Sequence, residues 1–417
     1  MLYRALLIAV SLLLVAAIAW QYMFPVFRFQ KPTGPYGIGT LTYHVEDGSR
    51  AEMFQEDPRI PRELMVQIWY PAVENASAER AHYLPDAGAV TKELARVYRV
   101  PEFIFHHIRY VRSNAIPSAA AASPAADVPV ADGFPLLIFL EGLYGFRQMN
   151  TFQVEELVSH GYIVAAIDHP YAAASVVFPD GRRIAALPVS KLKELMAPSL
   201  ETVANPPVLN GHVLNDGMIP YFAEDVRVVL DELAKWNEAD PYGILTGKMD
   251  LQRVGVFGIS LGGIVAGEVC QADATDRLKA CLIIDATMTR NTVTNGLRQP
   301  AMWITRDAET MRQEGWSSKE IDRHQTTMRA AFERLPKDGY FMQIKDYFHL
   351  NPTDIPYWSP LLTSLLKLRG PIDWRRAHAI TNDLTLAFFN KHLKGIAGDL
   401  LDGASAKYPE VTLEMSQ

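Results

Sequence analysis

Gly258-Ile259-Ser260-Leu261-Gly262 lies between a short apolar run and a stretch of small residues, a placement that narrows sharply the folds open to this chain. Arg253 to Phe257 reads as a buried strand, and Leu261 to Cys270 reads as the helix that follows it. A serine on so abrupt a strand-to-helix turn is forced into strained backbone geometry. Glycines must flank it, because a Cβ there would strike the neighbouring strand and helix. The turn holds the hydroxyl out at the positive end of a helix. The pattern is that of a nucleophile elbow, with Ser260 as candidate nucleophile.

The units around it repeat as strand and helix. Leu64 to Tyr70 alternates and is rich in strand formers, and with Gly39 to Val45 it predicts a leading antiparallel pair. Ser118 to Asp132, an Ala/Pro-rich stretch, reads as a flexible surface loop without chemistry. Then come a strand at Pro135 to Leu140, a helix near Thr151 to His160 and a strand at Tyr162 to Ile167, whose continuous apolar runs suit strands buried on both faces. An amphipathic helix follows Pro220 through about Trp236. Further strands are expected at Lys279 to Ile284, Ala301 to Thr305 and Tyr340 to Ile344, with a last helix from about Ala377 to Lys394. Such alternation, with the nucleophile mid-chain, predicts an α/β-hydrolase fold: a mostly parallel central sheet flanked by helices.

A serine hydroxyl is a weak nucleophile at neutral pH, so it needs a histidine to take its proton and an acid to orient that histidine. In this fold the chain order is Ser, then Asp or Glu, then His. His349, just past an apolar strand, is the candidate base. His324, on a charged helix pattern, and His378 and His392, on the last helix, fall in the wrong places. Two acids compete for the third role, Asp285 and Asp307, since each follows a strand, and spacing alone does not separate them. The oxyanion hole needs two backbone donors. Leu261 is expected to supply one, and Leu143, within Glu141-Gly142-Leu143-Tyr144-Gly145, the other.

Ala5 to Phe27 is an almost unbroken apolar stretch, with Arg4 before it and Arg28 and Lys31 after it. It is long enough to cross a hydrocarbon core at ~1.5 Å per residue. A buried helix of a soluble protein is one reading; Ala17-Ile18-Ala19 also offers a small-residue cleavage site, so membrane anchor and cleaved signal both stay open beside it. Either places the remainder, 31–417, outside the cytoplasm as one catalytic domain, with residues 1–30 as the anchor or signal. A net charge of −7 without long like-charge runs gives no footprint for nucleic acid. With two cysteines, Cys270 and Cys281, neither a disulfide scaffold nor a Cys-rich metal site can be built, although a single bridge between them remains open. No metal or other cofactor is expected. Lys92 to Val111 and Ile355 to Leu368 are unusually apolar for insertions and read as cap helices on the core or as segments touching lipid.

Thr33 to Gly39, Val66 to Pro71 and, above all, Pro135 to Arg147 followed by Leu157 to His169 resemble the platelet-activating factor acetylhydrolase family of α/β-hydrolases, which are serine esterases. The resemblance covers most of the chain after the apolar segment. It implies hydrolysis of short-chain or phospholipid-type esters, a triad acid at Asp285 rather than Asp307, the histidine of His349-Leu350-Asn351, and oxyanion donors at Leu143 and Leu261. The chain departs from the family pattern at Glu141 and Ile259, where histidines are usual, and at Leu261, where phenylalanine is usual. Glu141 is therefore expected to put a carboxylate near the site. The expected activity is that of a membrane-proximal serine esterase on a small-molecule or lipid ester. A peptidase, another acyl-transfer enzyme and a non-catalytic binding protein on the same fold are the alternatives.

Overall fold

In the computed structural model, residues 2–124 and 133–416 are described. Ten strands form one sheet: β1 (Gly37–Ala51), β2 (Pro61–Ala72), β3 (Ile116–Pro117), β4 (Phe134–Leu140), β5 (Ile163–Asp168), β10 (Met249–Ile259), β11 (Leu278–Ile284), β12 (Ala301–Thr305), β13 (Gly339–Ile344) and β14 (Val411–Met415). Between β5 and β10 lie two small hairpins, β6–β7 (Ser175–Val177, Arg183–Ala185) and β8–β9 (Val208–Leu209, His212–Val213). The sheet order is β14-β13-β12-β11-β10-β4-β5-β2-β1-β3. Strands β5 through β13 in that order run parallel, with β2 and β14 antiparallel on the two sides. This is the α/β-hydrolase architecture, and the leading antiparallel pair is β1 with β2.

Alternation along β4 shows how the sheet is buried. Leu136, Ile138 and Leu140 point into a core shared with helices Ile219–Glu238, Leu261–Ala272 and Ser318–Glu333. Leu137 and Phe139 point into the opposite core, with helices Thr151–Ser159 and Trp374–Phe389. Side chains leave a strand on alternate faces, so a strand covered on both sides must be apolar throughout. The chain runs outward from β4 to β5 and returns on the other side of β4 at β10. The strand order therefore reverses between β4 and β10, and the crevice at their carboxyl ends is where such sheets bind ligands.

The insertions build an aromatic cap. Leu84, Leu94, Ile108, Phe146, Tyr357 and Trp358 belong to one buried cluster, drawn from Ala87–Tyr98, the 3-10 turn Glu102–Tyr110 and Ile355–Trp358 among other segments. Residues 118–122, expected to be loose, instead follow the sheet edge: Ile116 pairs with Gly39, Ala121 bridges Ala72, and Ala122 is buried. The rest of that stretch, 125–132, lies outside the described residues. The chain does not stop at the helix ending near Gly395, since a short helix, Leu400–Lys407, leads into β14. Cys270 and Cys281 are both buried and free, so no bridge joins them.

Candidate active site

Strand β10 delivers Ser260 at φ 54°, ψ −118°, directly before the helix Leu261–Ala272. Holding a non-glycine residue there costs ~1–3 kcal/mol, sustained only because its neighbours fix it. The Ser260 N–H donates to the carbonyl of Ile284 at 3.0 Å, and the Ser260 carbonyl accepts from Ile264 N–H at 3.0 Å, so the turn is tied to the adjacent strand and to the first helical turn. A Cβ on Gly258 would fall on the Gly262 carbonyl, and one on Gly262 on the Leu140 carbonyl. Both glycines are therefore obligatory for this strand-to-helix packing.

Strand β11 ends at Ile284, and the next residue, Asp285, is buried and at φ 46°. Its Oδ2 accepts from His349 Nδ1 at 2.5 Å. The Arg306 guanidinium meets the same oxygen. Oδ1 accepts from Thr305 Oγ1 at 2.9 Å and faces His324 Nε2 at 3.1 Å. Arg306 reaches on to Glu314 Oε2 at 2.7 Å, and Glu314 Oε1 accepts the His349 backbone N–H at 3.1 Å. The indole of Trp316 covers this assembly, 4.8 Å from the Arg306 guanidinium and 5.5 Å from each of His324 and His349. Burial, and after it the Arg306 charge, push the His349 imidazole down to about 4. At neutral pH it is uncharged. With Nδ1–H on Asp285, its Nε2 is left as the acceptor.

The competing acid is accounted for differently. Asp307 is exposed and caps the helix Ala308–Glu314, accepting from Thr310 N–H at 2.7 Å. His378 bonds the Thr353 carbonyl and stacks on Phe152, and His392 meets the Tyr340 hydroxyl. His324, set aside from the sequence because of its charged surroundings, stands against Asp285. A helix periodicity shows which face is buried, not that the face abuts the carboxylate of a strand end 39 residues earlier. Thr305, the last residue of β12, and Arg306, Glu314 and Trp316 after it carried no sequence signal beyond their place at the carboxyl edge of the sheet.

Ser260 and His349 line two clefts together. The larger, about 340 Å³, is walled by Leu94, Tyr98, Leu143, Phe146, Met149 and Trp358. The smaller, about 130 Å³, is walled by Thr287, Trp316, Glu320, Arg323 and His324. Gly142 sits beside the nucleophile: a Cβ on it would lie in ordinary contact, 3.4 Å, with the Ser260 Cβ. In the loop after β4, Tyr144 N–H donates to Ala172 and Gly145 N–H to Gly142. Glu141 lines neither cleft. It is fully buried and turned onto His169, so the carboxylate expected near the site serves the loop's underside.

The fold and the crevice at its switch point define an α/β-hydrolase. The chain belongs to the platelet-activating factor acetylhydrolase, isoform II family, whose model matches residues 22–186 and 228–404. It is 23% identical over 395 residues to a platelet-activating factor acetylhydrolase of Gallus gallus, spanning 88% of this chain and 84% of that protein. With the protein of the same description from Cavia porcellus it shares 26% over 275 residues, 62% of this chain and 58% of the relative. Among solved structures, a ferulic acid esterase from Streptomyces cinnamoneus superposes with a TM-score of 0.68 at 27% identity, covering 93% of this chain and 98% of the esterase. Family and neighbour together support a serine ester hydrolase of the platelet-activating factor acetylhydrolase type.

Proposed function

We propose that the protein hydrolyses carboxylic esters through Ser260, His349 and Asp285, by way of an acyl-enzyme. The observation that carries this reading is the His349–Asp285 contact at 2.5 Å on the rim of clefts that also contain a strained Ser260. His349 Nε2 takes the proton of Ser260 Oγ as Oγ bonds to the ester carbonyl carbon. The tetrahedral intermediate then collapses, breaking the bond to the alcohol oxygen, which leaves with that proton. Water repeats the sequence on the acyl-enzyme and releases the acid. The backbone N–H groups of Leu143 and Leu261 are assigned to the developing oxyanion, because that of Tyr144 is taken by the Ala172 carbonyl beyond β5 and that of Gly145 by the Gly142 carbonyl.

The two clefts divide the substrate. The smaller fits a short acyl group such as acetyl, and the larger, apolar and aromatic, fits the alcohol portion of a lipid-type ester. Tyr3–Met23 has the length and composition to cross a membrane, and we read it as an uncleaved anchor. In support, Trp20 stacks on Phe103 with 5.8 Å between ring centroids, and Phe24 is buried beside His107, so the helix ends on the cap. Hydrolysis of p-nitrophenyl esters of increasing acyl length, with Ser260→Ala as blank, tests the reading. Turnover confined to acetyl and butyryl esters and fluorophosphonate labelling lost in Ser260→Ala are expected. Equal rates in the two proteins would overturn it. Fractionation with N-terminal sequencing checks the anchor.

A further inference from the structure

The Asp285 carboxylate is met by two imidazoles, one on each oxygen. His349 Nδ1 approaches Oδ2, and His324 Nε2 approaches Oδ1 at 3.1 Å. They come from separate elements: His349 from the loop after β13, His324 from the helix Ser318–Glu333. That helix starts at a full capping box, Ser317 with Glu320, which fixes its first turn and hence the height of His324 above the sheet. Of the other buried histidines, His107 and His378 spend a ring nitrogen on a carbonyl, that of Trp358 and of Thr353, and His169 spends one on the Glu141 carboxylate beneath the loop after β4. His324 is equally buried, and its nitrogen faces the Asp285 carboxylate that holds His349, while its ring borders the smaller cleft together with Ser260.

We infer that His324 is a positioning residue for ester hydrolysis, donating Nε2–H to Asp285 Oδ1 so that Oδ2 stays turned onto His349. The inference rests on the assignment of Ser260, Asp285 and His349 to the reaction. Two donors on Oδ1, His324 and Thr305, stop the carboxylate from rotating about its Cβ–Cγ bond. They also draw part of its charge away from His349. The groups facing His324 are Asp285, Arg306, His349 and Glu314, with Glu320 and Arg323 on its own helix. Burial first, then the charges of Arg306 and His349, hold the His324 imidazole well below its ordinary range. It therefore remains a neutral donor when His349 takes up the serine's proton, and no like charge forms beside the imidazolium.

The test uses the full chain in detergent and three variants. In His324→Gln the amide nitrogen occupies the place of Nε2, in His324→Asn it falls one methylene short, and in His324→Leu the donor is gone. With p-nitrophenyl acetate, His324→Leu is expected to lose about tenfold in kcat with KM within about twofold, as for one charge-assisted hydrogen bond. Its acid limb in kcat/KM should move to higher pH, because Asp285 then exerts more of its charge on His349. His324→Gln should recover both the rate and the limb. Should the leucine variant not fold, the pair Gln and Asn decides, with Gln close to the wild type and Asn close to the loss. Equal kcat and equal limbs in Gln and Asn, or an unmoved limb in a folded leucine variant, would overturn the inference. The serine mechanism itself is judged separately, by Ser260→Ala.

Discussion

Glu141 and His169 form a buried pair beneath the loop that follows β4: the His169 backbone N–H donates to Glu141 Oε1 at 2.8 Å, and both carboxylate oxygens lie 3.1 Å from His169 Nδ1. Arg147 and Asp168 make a second buried pair between the same two segments, Arg147 N–H donating to Asp168 Oδ1 at 2.6 Å. The loop carrying Leu143 is thus clamped to the end of β5 by two charge-assisted contacts. Burial works against a charge on His169, but the Glu141 carboxylate outweighs it and raises the imidazole above its ordinary value. A group raised on folding contributes stability that is fully present below its unfolded pKa and is lost as pH rises through the folded one. Melting temperature measured from pH 6 to 9 should therefore fall more steeply in the wild type than in Glu141→Gln. Glu141→Ala, which leaves His169 unpaired in the interior, should destabilise by ~3–5 kcal/mol.

In the proposed reaction, His349 sets the acid side of the activity. It serves as a base only when neutral, so kcat/KM falls as pH drops through its pKa. Burial and then Arg306 push that value down to about 4, while Glu314 acts in the opposite sense, as a carboxylate bonded to Nδ1, here Asp285, must also do. The acid limb is expected between about pH 4 and the ordinary histidine value of about 6.5. A kcat/KM profile from pH 3.5 upward locates it. A limb above that ordinary value would mean that the carboxylate outweighs burial.

Gly262 is the position where a single methyl group should abolish the site. Its Cβ would occupy the Leu140 carbonyl, which is backbone and cannot rotate away. Gly262→Ala must therefore push the helix Leu261–Ala272 off β4 and unseat both Ser260 and the Leu261 N–H. Loss of fluorophosphonate labelling, together with a lowered melting temperature, is the expected result. Gly48→Ala, where nothing lies within 4 Å, is the matched control and should label normally.

What the sequence made legible follows from how local each signal is. The elbow, the two-faced strands and the histidine after β13 are written in contiguous residues, because period and turn chemistry act over a few positions. Strand β14, Val411–Met415, was not legible: it is a short edge strand with mostly exposed side chains, which leaves little apolar pattern. Nor was the partnership of Glu141 with His169, or of His324 with Asp285. These contacts join the ends of different strands and helices, and nothing in either segment names the other. The choice between Asp285 and Asp307 needed the resemblance for the same reason. In the fold the difference is physical, one carboxylate buried among two imidazoles, a hydroxyl and a guanidinium and the other capping a helix in solvent.

Arg306 joins the two acids that hold His349, and its removal should act on stability and on chemistry at once. The side chain is fully buried, between Asp285 on one side and Glu314 Oε2 on the other, under the face of Trp316. Arg306→Met leaves two carboxylates without their shared cation, a loss of ~3–5 kcal/mol by analogy with other broken buried pairs. It also removes a positive charge that opposes protonation of His349, so the acid limb of kcat/KM should move to higher pH. Arg306→Lys keeps the charge but, as a single compact ammonium, cannot engage both carboxylates as the planar guanidinium does. It should keep the limb near its wild-type position while recovering only part of the stability. Denaturant unfolding and a pH profile on the same three proteins separate the two effects: a limb that moves equally in the methionine and lysine variants would show that geometry, not charge, is what Arg306 supplies to His349.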